Sequence, residues 1–278
     1  MTFLERMAAT SRERMRAARK RESEGALERR ALAQPPAPAL LLDDFDVIAE
    51  LKLRSPSAGG LAASDFDPRA QLGSYVRGGA AAISVLTEPT EFRGELAHLA
   101  AAAGELAHAR RPAMRKDFLV DAYQVLEARA AGAGGVLVIM AMLDDATVRE
   151  LVECAQRCGM FVLLEAFDRA DLERLAPFDS PQAERPQVLA GVNCRDLRDL
   201  QVRFERFAEL APFLPRNLAA VAESGIGSRA DVEAVAAGGY RLALIGSSLM
   251  RAADPAQALA DWLAAGRAVA PGRLTACS

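Results

Sequence analysis

The chain has little of what would settle its chemistry at once. Its two histidines, His98 and His108, both fall in an Ala-rich helical segment away from any strand end. That excludes a Ser-His-Asp nucleophile and leaves lysine and carboxylates as the proton carriers. The four cysteines, Cys154, Cys158, Cys194 and Cys277, form no CxxC pair and have no histidine pair beside them. This pattern excludes structural zinc and predicts a reduced, cytosolic protein, with Cys154 and Cys158 as packing residues on one helix face. No apolar run approaches the roughly 20 residues of a membrane span. The N-terminus is charged from Glu5 onward, unlike a secretory leader. No GxGxxG follows the first strand, which counts against a dinucleotide-binding domain. With 34 basic against 37 acidic residues the net charge is −3, so no general attraction to nucleic acid or to an anionic membrane is expected.

What is present is a long chain with ample core material: 278 residues, of which 51% are apolar. Residues 1–33 read as helix, with Leu4, Met7, Ala8 and Met15 near helical spacing. The basic run from Arg12 to Arg21 is interleaved with Glu13, Glu22, Glu24 and Glu28, which makes it a solvated helix face rather than a nucleic-acid arm. Pro35, Pro36 and Pro38 form a stiff connector. The division expected is a helical extension over 1–38 and one catalytic barrel over 39–278.

From there a rhythm begins. Strands are expected to start near Asp46, Ala81, Arg111, Gly135, Phe161, Gln187, Leu218 and Arg241, separated by segments of helical spacing with terminal glycines, such as VDAYQVLEARAAGA and SRADVEAVAAGG. Eight βα units with short crossovers favour a closed (β/α)8 TIM barrel, an α/β fold, over an open sheet. The polar stretch 176–186 lies between the fifth helix and the sixth strand, on the N-terminal face, and reads as a tolerated insertion.

Six of the apolar runs end in charged or polar residues: VIAELK (Glu50, Lys52), AMRKDF (Lys116), FVLLEAF (Glu165), LAGVNCR (Asn193, Arg195), AAVAESG (Glu223) and LALIGSS (Gly246, Ser247). Burying an unpaired lysine or glutamate costs several kcal/mol or about that. In a barrel these ends converge on the C-terminal face, where active sites lie. The set predicts a charged cup for acid–base work on an anionic substrate. A structural alternative, interior ion pairs that only set packing, explains one such residue well and five together poorly. The turns Glu223-Ser224-Gly225-Ile226-Gly227 and Ile245-Gly246-Ser247-Ser248 offer backbone N–H groups to a phosphate, and Ser55-Pro56-Ser57 adds hydroxyls. No metal and no cofactor is expected.

At these residues the chain resembles the indole-3-glycerol phosphate synthase family. The resemblance runs from FLERM and RERMRAARK through IAELKLRSPSAGGL, AAAISVLTEPTEFRGE, MRKDFLVDAYQVLEARAAGAGGVLVI, LLEAFD, GVNCRDL and VAESGI to LIGSSLMRAADP. It implies a carboxy-lyase of tryptophan biosynthesis that closes the indole ring of 1-(2-carboxyphenylamino)-1-deoxyribulose 5-phosphate. Carried over by motif, Lys116 is the general acid and Glu165 and Lys52 assist dehydration, with Glu50 sharing the acid–base work. Lys52 also meets the substrate carboxylate. Asn193 and Glu223 orient the sugar hydroxyls. Ser55, Ser224, Gly225, Gly246 and Ser247 cradle the phosphate, and Phe92, Phe118, Leu137, Leu197 and Leu244 wall in the ring. The resemblance places the N-terminal helix over the barrel mouth. It implies a phosphorylated small molecule as partner, tryptophan-pathway enzymes as neighbours, and a monomer or weak homodimer. The chain departs from the family at Glu91-Phe92, where many members carry two aromatics, and at LEAFD in place of EVHD.

Two other enzyme readings compete. Phosphoribosyl isomerases share the glycines of strands seven and eight, but carry Cys or Asp on strand one, where this chain has Glu50 and Lys52. A Schiff-base aldolase would use Lys116 as its nucleophile.

Overall fold

The computed structural model describes residues 2–52, 54–55, 59–60, 67–180, 187–196 and 201–271, with only the backbone described at 54–55 and 59–60. Eight parallel strands close into a barrel. They are β1 (Asp46–Leu51), β2 (Ala82–Leu86), β3 (Ala113–Lys116), β4 (Gly135–Ile139), β5 (Phe161–Ala166), β6 (Val188–Asn193), β7 (Ala219–Glu223) and β8 (Leu242–Ile245). Each pairs with its sequence neighbours, and β1 pairs with β8 as well as β2. The (β/α)8 expectation holds, and every strand starts within two residues of its expected position.

The strands read as unbroken apolar runs because both faces are covered. One set of alternate residues, among them Val47, Ala49, Val85, Val136, Val138, Leu164 and Val192, packs outward against the helices. The other set, Ile48, Met114, Leu137, Leu163, Leu189, Val221 and Leu242, fills the barrel interior. Helices begin where a side chain meets an orphan N–H. Asp121 caps Ala122–Ala130, Asp144 caps Asp145–Arg157 and Ser228 caps Arg229–Ala237.

Ahead of the barrel lie two helices, α1 (Phe3–Arg21) and α2 (Glu24–Leu32), where one helix over 1–33 was expected. The break falls at Glu22 and Ser23, both in extended backbone. It lets the Tyr123 hydroxyl donate to Glu22 O at 2.9 Å, so the kink is fixed by a barrel residue 101 positions away. A capping box between Thr2 and Glu5 starts α1. The described part of the 176–186 stretch is a short turn, Ala176–Phe178. Asp179 beside it accepts the N–H groups of Arg216 and Asn217 just ahead of β7, on the N-terminal side.

Candidate active site

The period-2 alternation of the strands builds the site. Two positions beyond interior residues Ile48, Met114, Leu163, Leu189 and Val221, the same face carries Glu50, Lys116, Glu165, Gly191 and Glu223. Asn193 follows Gly191 by two more. These side chains therefore sit on top of an apolar plug and face one another across the C-terminal mouth. All of them but Gly191 line a cavity of about 340 Å³.

Lys116 is the centre of the cup. Its Nζ donates to Glu165 Oε2 and to Glu223 Oε2, each at 3.3 Å. Both glutamate side chains are almost fully buried, and the lysine side chain keeps 17% exposure toward the mouth. Burial alone would push the Lys116 ammonium down, but Glu165, Glu223 and Glu50 outweigh it and hold it above its ordinary value. Glu223 is held well above the usual carboxylate range, first by burial and then by the neighbouring Glu165. Lys116 thus bridges the two carboxyls, and at Glu223 burial and the second carboxyl favour the neutral form.

Across the barrel Lys52 Nζ lies 2.5 Å from Glu50 Oε1. Burial would raise Glu50, yet Lys52 and Lys116 outweigh it and hold the carboxyl below its ordinary value. The Tyr75 hydroxyl fixes the Glu50 backbone from behind, donating to Glu50 O at 3.2 Å. Asn193 is oriented by its own turn: Arg195 N–H donates to Asn193 Oδ1 at 3.0 Å, which makes the amide NH2 the donor end.

The β7 and β8 turns close the opposite side. Ser224 (φ 71°) and Gly225 (φ 73°) are consecutive left-handed residues. For serine this conformation costs about 1–3 kcal/mol and is characteristic of functional turns. A Cβ on Gly225 would press on Val202 and on the Cys194 sulfur at 3.2 Å. Ser248 Oγ donates to Ile226 O at 2.7 Å and ties the two turns together. Gly246 opens the short helix Ser247–Arg251, whose first-turn N–H groups have no intrahelical acceptor.

The ring side is apolar. Phe92, Phe118, Leu137 and Leu244 line it as expected, and Phe92 is held by Glu88, whose carboxylate accepts the N–H groups of Thr90, Glu91 and Phe92. Phe118 packs 6.3 Å from Phe92 and, edge-on, 5.8 Å from Phe3 of α1. Two expected residues are not placed. Leu197 lies outside the described residues, and Ser55 is described only by its backbone, in a two-residue strand Arg54–Ser55.

Sequence reasoning missed several residues of this cavity. Phe3 and Arg251 line it unannounced, and Arg195, given no role beyond its place at a strand end, lines it too. Beneath them lies a buried network on the alternate residues of β3. Arg115 NH2 bonds Asp117 Oδ2 at 3.0 Å, the Thr87 hydroxyl donates to the same oxygen at 2.8 Å, and Arg14 of α1 holds Asp117 from outside. Arg115 also donates to Gln124 O and reaches Glu127.

Two alternatives, cysteine and histidine chemistry, lose ground on geometry. Cys194 donates to Ser224 O at 3.3 Å and its thiol is pushed up to about 12 by burial, so it supplies no acid or nucleophile. His108 is exposed and His98 borders a separate, smaller cavity behind β1 and β2. Among the described residues no cluster of three or more His, Cys, Asp or Glu is arranged to hold a metal, and no helix is long and apolar enough to cross a membrane.

Fold and cup together define a (β/α)8-barrel enzyme with lysines and carboxylates at its C-terminal mouth. Solved structures agree on the barrel and no more. A 3-hexulose-6-phosphate synthase from Salmonella typhimurium superposes with a TM-score of 0.61 at 15% identity, over 81% of this chain and 99% of that one. A thiamine phosphate pyrophosphorylase from Pyrococcus furiosus gives 0.58 at 14%, over 81% and 97%. The family profile described as indole-3-glycerol phosphate synthase matches residues 4–262. Proteins of that name are 42% identical in Variovorax paradoxus, over 86% of this chain and 84% of theirs, and 40% identical in an Arthrobacter strain, over 96% and 97%. The chain belongs to the indole-3-glycerol phosphate synthase family, carboxy-lyases of tryptophan biosynthesis.

Proposed function

We propose that this chain converts 1-(2-carboxyphenylamino)-1-deoxyribulose 5-phosphate into indole-3-glycerol phosphate, releasing carbon dioxide and water. The observation that carries the reading is the triad of Lys116, Glu165 and Glu223 set between a ring-shaped apolar wall and a pair of glycine–serine turns. The reaction needs a proton on the sugar ketone as the ring carbon bearing the carboxylate attacks it. Lys116, held charged on the cavity floor, delivers that proton to an oxygen that becomes strongly basic as the new bond forms.

Carbon dioxide then leaves, restoring the aromatic ring. The hydroxyl left at the former ketone carbon departs as water, with Glu165 and the Lys52–Glu50 pair moving the protons for this dehydration. Lys52 faces the substrate carboxylate until it is lost. Asn193 and Glu223 orient the sugar hydroxyls. The phosphate rests on Ser224, Gly225, Gly246 and Ser247, with Ser55 on the strand-one side, and the apolar wall presses the ring against the ketone. No cofactor is required by this scheme.

The test is direct. Folded protein given the carboxyphenylamino-deoxyribulose phosphate should produce indole absorbance and fluorescence; absence of indole from folded protein would sink the proposal. The aldolase reading predicts a covalent adduct at Lys116 after borohydride treatment with substrate, and no such adduct is expected.

A further inference from the structure

Gly191 occupies an interior-facing position of β6 at which a side chain is expected. Its strand neighbours in register are Glu165 on β5 and Val221 on β7. The interior positions around it carry Leu163, Leu189 and Val221, so an alanine or valine would continue the apolar plug. A Cβ built on Gly191 would collide with Glu223 Oε1 and come within 3.0 Å of Leu163 Cδ1. The volume left by the missing side chain is filled by the carboxyl end of Glu223.

This clearance differs in kind from one that serves packing. A Cβ on Gly135, also facing inward, would strike the Phe161 ring, an apolar neighbour. At Gly191 the neighbour is the acid group itself. Glu223 Oε2 is directed at Lys116, while Oε1 is buried in the notch with no hydrogen-bond partner among the described residues. An unpaired carboxylate oxygen over a glycine Cα and a leucine methyl is a poor place for negative charge, so the notch fixes the side chain's aim and favours its neutral form. The same device recurs opposite, where a Cβ on Gly246 would collide with Glu50 Oε1 and crowd Lys52 Nζ.

We propose that Gly191 is a positioning residue for the acid–base cluster, its missing side chain being the notch that lets Glu223 lean across β6 to meet Lys116 beside Glu165. As a statement about catalysis it rests on the ring-closing activity proposed above. Gly191→Ala should displace Glu223 and lower kcat by at least about 10-fold, since misplacing a catalytic group by an ångström costs up to about 10²-fold.

A double-mutant cycle separates this from general packing. Turnover and thermal unfolding are measured for wild type, Gly191→Ala, Glu223→Ala and the double variant. Because Glu223→Ala removes the colliding group, adding Gly191→Ala to it should cost neither turnover nor melting temperature beyond a small residue. A Gly191→Ala variant within two-fold of wild type overturns the proposal. So does a penalty that persists undiminished in the Glu223→Ala background. If Gly191→Ala alone is unfolded, Glu223→Ala must restore folding; failure to do so assigns the clash to Leu163 and also overturns it. A wild-type protein that makes no indole would instead count against the proposed reaction, and the stability half of the cycle would still report on the notch.

Discussion

Arg14 grips both oxygens of Asp117 in parallel, Nη1 to Oδ2 at 3.0 Å and Nη2 to Oδ1 at 2.8 Å, joining residues 103 positions apart. Asp117 is fully buried and is the chain neighbour of Lys116, so α1 is anchored at the strand end that bears the proposed acid. Burial would raise the Asp117 carboxyl; Arg115, Arg14 and the Thr87 hydroxyl outweigh it and hold it far below the usual range. Removing one partner of a buried pair leaves the other uncompensated. Asp117→Ala takes a carboxylate from the buried Arg115, leaving it Glu127, and from Arg14 at once, and should therefore cost about 3–5 kcal/mol. Arg14→Ala leaves Arg115, Thr87 and the Phe118 N–H on the carboxylate and should cost less, about 1–3 kcal/mol. Urea unfolding of the two variants checks the order, and equal costs would remove Asp117 from the centre of the network.

Lys116→Ala tests the acid. The alanine removes the cation shared by Glu165 and Glu223, and the protein can answer by taking up a proton on the buried carboxyl pair, so folding should survive. Turnover should fall by at least about 10²-fold, the low end for loss of a general acid. Circular dichroism and melting temperature establish the fold, and indole formation gives the rate. Near-wild-type turnover would show that Lys116 is not the acid.

The barrel and the polar cup were legible in the sequence because each is written in local pattern. Strands buried on both faces appear as apolar runs between glycines, and Asp121, Asp144 and Ser228 mark helix starts as caps. Period-2 alternation puts Glu50, Glu165 and Glu223 two steps beyond Ile48, Leu163 and Val221, so their convergence follows once the barrel closes. The rest depends on pairs far apart in sequence. The kink at Glu22 answers to Tyr123, Phe3 reaches the cavity because α1 folds back on Phe118, and Arg14 meets Asp117 for the same reason. Gly191 is legible only with the register of β6 against β7 in hand, since a glycine in a strand reads locally as a mere weakness.

Glu223 should reveal itself through the pH dependence of stability. Its carboxyl is held above the usual range in the folded state, while the unfolded chain titrates near 4.3 or about that. Between those values the native state carries the extra proton. Its contribution to stability is full below the unfolded value and is lost as pH rises through the folded value. Glu223→Gln keeps the shape and removes the titration. The variant should gain melting temperature relative to wild type from pH 5 to pH 9. Parallel curves over that span would mean that Glu223 is ionised throughout.

Phe3 tests whether α1 takes part in binding. Its ring meets Phe118 edge-on at 5.8 Å and lines the cavity, and Arg6 of the same helix reaches Glu91 at 3.4 Å. Phe3 thus adds from α1 a further aromatic to the wall, against Phe118. An aromatic contact of this geometry is worth about 0.5–1.5 kcal/mol beyond its buried area. Phe3 touches the ring wall and none of the proton carriers, so its loss should weaken ground state and transition state alike. Phe3→Ala is therefore expected to raise KM by roughly 2–10-fold with kcat held within about two-fold. Steady-state kinetics on the proposed substrate distinguish the outcomes. A fall in kcat at constant KM would instead make α1 part of the machinery that sets the reacting atoms.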